Sequence, residues 1–224
     1  MFKKIFYLLC LLTFFPCFNQ GCNYSENNLS SETGHDYLIK INNTIITITD
    51  FNMAFEANNI LNADIIPQNK QDLCRDKIFF LNQYVEELIL LERAKETGIS
   101  IPDSDMKNSI SKIKKEYPER IFDQLFIDQA IPLTLWKKRF KISLLLQKVI
   151  KKDLEDNITI AKGEISAFLA QQDDAAKPVN QQKIIKYLRK EKAQKAYPEW
   201  IKKLSIRYNV NIHENGLHEI MRSL

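Results

Sequence analysis

The chain has 224 residues, of which 45% are apolar and 27% charged, with a formal net charge of +4. That length allows one sizeable core or two small ones, and a charge so near balance argues for no particular polyanionic partner. Only 5 glycines among so many Leu, Ile and Lys favour helices over turn-rich β structure, so the expected fold class is mainly α.

Residues 1–21 read as a secretory signal. Lys3 and Lys4 precede an apolar run from Ile5 to Phe15, too short to cross a bilayer as a helix but suited to the central region of an export signal. The run closes on Asn19-Gln20-Gly21-Cys22, which resembles a bacterial lipoprotein signal and implies lipidation of Cys22. Asn19 departs from that pattern, so conventional cleavage stays open. Cys10 and Cys17 fall inside the signal, leaving Cys74 without a partner for an internal disulfide and expected as a small core residue. From Cys22 onward 30 basic residues face 28 acidic ones.

Residues 22–36 are polar and read as a flexible tether. Two β-branched runs, Leu38 to Ile41 and Ile45 to Ile48, flank Asn42-Asn43-Thr44 and predict a hairpin. A short helix is expected from Asp50 to Leu61, with Phe51 and Phe55 on one face. A long one follows from Lys70 to Glu96, carrying two apolar stripes and stopped by Gly98. The stretch from Tyr117 to Lys152 is the expected organising element. It reads as a short helix after Pro118, a break at Ala130 to Pro132, and a long helix with Trp136 and Phe140 one turn apart. Helix starts near Pro102, Pro132 and Ala161 share an apolar staple spacing but lack a good capping side chain.

After a helix from Glu164 to Gln171 comes a polar linker, residues 172–179, and a last long helix from Asn180 to Leu204. Ile206 to Ile212 alternates like a half-buried strand. Its one available partner is the segment from Leu38 to Ile48, so the two ends are expected to pair and close a domain over residues 37–213. Residues 214–224 are read as a tail.

In order, Ile41-Asn42-Asn43-Thr44-Ile45-Ile46, Phe51, Gly98-Ile99-x-Ile101, Tyr117-Pro118, Phe122-x-x-Leu125, Trp136 and Leu145-x-x-Lys148 resemble the N-terminal chaperone domain of the SurA-like and PrsA-like family. The stretch Lys192 to Ile201 resembles the helix that returns to that domain late in the sequence. Asn43 and Ala130 stand where the family often has Gly. The resemblance implies a helical chaperone core with a small β element, closed by the long C-terminal helix. Family members commonly insert a parvulin-type prolyl isomerase domain where this chain has residues 172–179, which implies a core without catalysis.

Catalytic chemistry is sparse. His35, His213 and His218 lie in the tether or tail, and neither a metal-ligand spacing nor a phosphate-binding glycine loop is present. Glu86-Glu87 and Asp173-Asp174 are adjacent pairs that diverge on a helix and read as solvated surface. The basic runs Lys112 to Lys115, Lys137 to Arg139 and Lys186 to Lys195 also read as solvated faces, with no nucleic-acid partner expected and steering of acidic unfolded clients left open.

Candidate client-binding residues are Phe79, Phe80, Tyr84, Phe122, Leu125, Phe126, Trp136 and Phe140, any of which could instead be core. The expected function is an ATP-independent, exported chaperone lipoprotein that holds unfolded envelope proteins from the inner or outer membrane, without cofactor or metal. The alternatives are a scaffold lipoprotein with one dedicated partner or a homodimer, and residual prolyl isomerase activity.

Overall fold

The computed structural model describes residues 37–62, 69–170 and 180–222. The expected signal, the lipidation site Cys22, the tether and the linker at 172–179 lie outside the described residues.

Strands β1 (Tyr37–Ile41) and β2 (Thr44–Thr47) form an antiparallel hairpin in which Ile41 pairs with Thr44. Asn42 turns the chain with φ +49°, a left-handed conformation that asparagine tolerates well. Strand β3 (Asn211–Ile212) joins the other edge of β1, placing Ile39 opposite Ile212. The sheet order is β2-β1-β3, so the two β-prone ends do pair.

The last strand is shorter than its alternation suggests, because helix α7 (Gln181–Arg207) continues through Ile206 and Arg207. Leu204 and Tyr208, four residues apart, are both buried, and this helical spacing wins over the alternation. The expected tail is also corrected: Glu214–Arg222 is a helix, α8, with Ile220 fully buried and Leu217 and Met221 packed on the same core. Gly216 lets α8 approach β1, since a Cβ there would lie 2.8 Å from the Tyr37 carbonyl oxygen.

Between these ends the chain is helical. Helix α1 (Ile48–Leu61) starts before Asp50 because Thr47 and Asp50 cap each other. The Asp50 N–H donates to Thr47 Oγ1 and the Thr47 N–H to Asp50 Oδ2, each at 3.0 Å. Helix α2 (Lys70–Thr97) is capped by Asn69 and ends at Gly98, φ +66°. Then come α3 (Asp103–Lys114), α4 (Ile121–Asp128) and α5 (Leu133–Val149). The last of these passes into a π turn at Ile150–Leu154 and a 3₁₀ turn at Glu155–Asn157, not straight on to Lys152. Helix α6 (Lys162–Ala170) precedes α7.

Helix α2 is buried on two sides, but the two stripes read from sequence share one core. Phe80 and Leu88 of one and Leu81 and Ile89 of the other join Phe51, Phe55 and the sheet residues Leu38, Ile39 and Ile41, whereas Leu90 and Ala94, outside both stripes, meet Leu146 and Val149 of α5. Polar groups lock the same three long helices. Arg139 of α5 grips Glu87 of α2 through two hydrogen bonds of 2.7 Å. Asp153, in the π turn, accepts from Arg93 of α2 and from Trp200 Nε1 of α7. Tyr197 of α7 donates to Glu86 at 3.1 Å. Glu86 and Glu87 are therefore not the solvated pair expected of them: three helices converge on this level of α2, and each carboxylate has a donor from a different neighbour. Cys74 is half-buried, short of the core position expected.

Candidate functional site

The eight apolar residues singled out in the sequence do not form one exposed face. Phe80, Phe122, Leu125, Phe126, Trp136 and Phe140 are all buried, from 2% exposure at Phe140 to 9% at Leu125. Tyr84 is half-buried, stacked on Phe80 with ring centroids 5.6 Å apart, and Phe79 alone is well exposed, at 58%. The reason is that the side chains satisfy one another. Phe122 and Phe126 of α4 both meet the Trp136 ring edge-on, at 5.6 and 5.2 Å between centroids, and Phe140 stacks on the same indole at 5.0 Å. Such pairs add roughly 0.5–1.5 kcal/mol each beyond area burial. Leu61, at the end of α1, completes this second core.

What covers this aromatic core is thin. Helix α3 contains no buried residue, and it lays the half-buried Met106, Ile110 and Ile113 over the aromatic rings. Two of the helices around it start weakly, as the sequence predicts: Pro102 and Pro132 occupy the N-cap positions of α3 and α5 without any side-chain cap hydrogen bond. Arg120 does the same for α4, a start the sequence does not single out. Helix α4 is also bracketed by two non-glycine residues in left-handed backbone, Arg120 with φ +68° and Ala130 with φ +50°. Each such residue costs on the order of 1 kcal/mol. The strain at Ala130 falls at one of the positions where the sequence departs from Gly.

Two adjoining cavities open along this cover. One, of about 410 Å³, is lined by Tyr117, Pro118, Glu119, Arg120 and Lys115. The other, of about 340 Å³, is lined by Lys107, Ile110, Leu133, Trp136 and Lys137. They share Ser111, Lys114, Phe122 and Asp123, and so make one groove with aromatic walls and a basic rim. Lys114 sits at the junction. It donates to Asp123 Oδ1 at 2.9 Å and lies 5.1 Å from the centre of the Phe122 ring. Trp136 Nε1 is buried and has no hydrogen-bond partner among the described residues. A buried donor left unmet costs about 1–3 kcal/mol, so an acceptor brought to it would be stabilising.

Of the residues proposed from sequence, Phe122 and Trp136 reach this groove, and the rest lie in core or elsewhere. The rim residues Lys107 and Arg120 escaped sequence reasoning, and Lys137 reads there only as part of a solvated basic run, because an exposed cation carries no sign of what it faces. Of the Lys137 to Arg139 run, Arg139 turns inward to Glu87 while Lys137 stays exposed at the groove. Among the described residues no cluster of His, Cys, Asp or Glu could hold a metal, and no helix is long and apolar enough to cross a membrane.

A family model described as the SurA-like N-terminal domain matches residues 1–150. The match covers the hairpin, helices α1 to α5 and the whole groove. Among curated proteins, the chaperone SurA of Nitrosospira multiformis is 21% identical over 99 residues, covering 42% of this chain and 22% of that protein. The chaperone SurA of Burkholderia thailandensis is 26% identical over 94 residues, covering 41% of this chain and 21% of that protein. That of Burkholderia pseudomallei is 26% identical over 99 residues, with the same coverages. The match thus spans about a fifth of the length of these relatives.

Proposed function

The chain belongs to the SurA-like N-terminal domain family, and we propose that it works as an ATP-independent chaperone that holds unfolded envelope polypeptides in the groove between α3, α4 and α5. The observation that carries this reading is the aromatic core of Phe122, Phe126, Trp136 and Phe140 under a helix with no buried residue of its own. A small outward movement of α3 uncovers apolar rings that a non-native client can cover instead. Burial of apolar area is non-directional and worth about 25 cal/mol per Å², which suits broad specificity at modest affinity. The candidate residues from the sequence then act in the opened form, with Phe122 and Trp136 at the groove and Phe126 and Phe140 behind them. Phe80, Tyr84 and Leu125 remain structural.

The basic and apolar run at residues 3–15, followed by Cys22, supports export and a lipid anchor on the periplasmic side of a membrane. Among the described residues the Ser111 hydroxyl lining the groove has no hydrogen-bonded base, which supports binding without bond-making chemistry.

The test is light scattering from a chemically denatured outer-membrane protein diluted into buffer with and without the purified chain. Suppression of scattering at a near-stoichiometric ratio is expected. Unchanged scattering at a severalfold excess would refute the proposal.

A further inference from the structure

The groove carries a charge asymmetry that a merely apolar grip does not need. Its lining includes five basic residues, Lys107, Lys114, Lys115, Arg120 and Lys137, against the two acids Glu119 and Asp123. Lys114 is engaged with Asp123, but Lys107, Lys115, Arg120 and Lys137 form no ion pair among the described residues. Cations that face the frame are paired, Arg93 with Asp153 and Arg139 with Glu87, whereas these four gather unpaired at one groove. Between the unpaired cations lie Ile110, Leu133, Phe122 and Trp136, whose buried indole N–H is unmet among the described residues.

We infer that this groove selects client segments in which apolar side chains are flanked by Asp or Glu. The apolar side chains lie against Phe122, Ile110 and Leu133, the flanking carboxylates meet Lys107 and Lys137 at the rim, and, once α3 lifts, a client backbone carbonyl accepts from Trp136 Nε1. The charge complementarity names this occupant over a neutral or basic one, since like charges at a rim repel and opposite charges speed and orient docking. The inference rests on the chaperone reading above and adds the class of client to it.

The test uses the purified chain and three fluorescent peptides that share one apolar core and differ in flanks: acidic, amide or lysine. Anisotropy titrations should rank them acidic, amide, lysine, with the acidic peptide about tenfold tighter than the amide one at low salt if each of two rim pairs is worth severalfold. Raising salt to about 1 M, where charges are screened within roughly 3 Å, should close that gap while leaving the amide peptide nearly unchanged. The double substitution Lys107→Ser with Lys137→Ser, at two exposed positions, should bring the acidic peptide down to the amide one. Trp136→Phe keeps an aromatic ring without the N–H and should weaken all three alike, with its helical circular dichroism confirming the fold.

Equal affinities for the three peptides would overturn the inference while suppression of client scattering leaves the chaperone reading standing. Binding of none of them alongside suppressed scattering would overturn it by placing the client elsewhere on the chain. Loss of both peptide binding and suppression would remove the chaperone reading itself.

Discussion

Replacing Asp153 with Ala removes the acceptor that joins three helices at one point. Its carboxylate takes a 2.9 Å hydrogen bond from Arg93 Nε, a second from Arg93 Nη2, and one of 3.1 Å from Trp200 Nε1. The side chains are 14% exposed at Asp153 and 20% at Arg93, so this pair is largely out of solvent, and Asp153 is the main reason that Arg93 is held above its ordinary pKa. Breaking a buried pair by removing one partner costs roughly 3–5 kcal/mol. Arg93 keeps Glu96 at 2.7 Å, which reduces its share to about 2 kcal/mol, and the stranded Trp200 N–H adds about 1 kcal/mol. The expected loss is about 3 kcal/mol, or a fall in melting temperature of roughly 6–12 °C for a chain of this size. Urea unfolding followed by far-ultraviolet circular dichroism measures it directly. Asp153→Asn, which retains one acceptor oxygen, should lose about half as much, and a cycle with Arg93→Met should show a coupling above about 1 kcal/mol. A loss below about 0.5 kcal/mol for Asp153→Ala would mean that the pair behaves like a surface ion pair, and the reasoning fails.

Two glycines should respond to Ala with opposite signs. At Gly216 the new Cβ meets backbone, 2.8 Å from Tyr37 O and 3.2 Å from Leu38 Cα, so overpacking of about 2 kcal/mol outweighs the gain in helix propensity of about 1 kcal/mol. At Gly163, in α6, nothing lies within 4 Å, so Ala should stabilise; urea midpoints moving the same way for both would contradict this. Burial raises the pKa of Glu86 above its ordinary 4.5, with the Tyr197 hydrogen bond opposing. The folded state therefore holds that proton more tightly, and the associated stability is present below about pH 4.5 and lost as pH rises through the raised value. Glu86→Gln should gain on the parent at neutral pH relative to acid pH in paired urea titrations, and a constant difference would exclude the assignment. Glu96 acts in the other direction. Tyr208 and then Arg93 hold it at about 2, so its contribution is present above 4.5 and fades as pH falls. Hydrogen exchange should find α3 amides exchanging at least tenfold faster than those of the α2 midsection, since local openings expose segments with few buried contacts. Equal protection would rule out a cover that opens separately.

Much of this fold is legible where one residue type decides a local geometry. Asn42 marks the hairpin, Gly98 ends α2, and Pro118 and Pro132 bracket α4. The pairing of the chain ends is legible for a different reason: β1 needs a second neighbour, and a single remaining segment could supply it. Helix α8 escaped because nine residues offer only two turns of pattern, Gly216 with Ile220 and Leu217 with Met221, and glycine argues against a helix unless something passes close to it. The site was half legible. Spacing identifies Phe122, Trp136 and Phe140 as facing a neighbour, but it cannot say whether that neighbour is the chain itself, and here Leu61 and the cover of α3 provide it. The Asp153 junction and the Glu87–Arg139 pair join residues dozens of positions apart, so no local pattern announces them.

The distribution of polar contacts divides the molecule into a frame and a cover. Within the frame, α2, α5 and α7 are tied by carboxylates at Glu87 and Asp153 that are mostly out of water, where a missing partner is costly. The ion pairs that reach α3 are of another kind. Lys114–Asp123, Lys141–Asp103 and Lys148–Asp105 all leave their carboxylates more than half exposed, and such pairs are worth about 0–1 kcal/mol each. The apolar attachment of α3 follows the same division, since its inward residues Met106, Ile110 and Ile113 are only partly buried. Lifting α3 therefore breaks weak contacts and leaves the strong ones in place. On the proposed chaperone reading, a polypeptide that covers Phe122 and Trp136 would compete with that weak attachment and leave the frame that presents the groove intact.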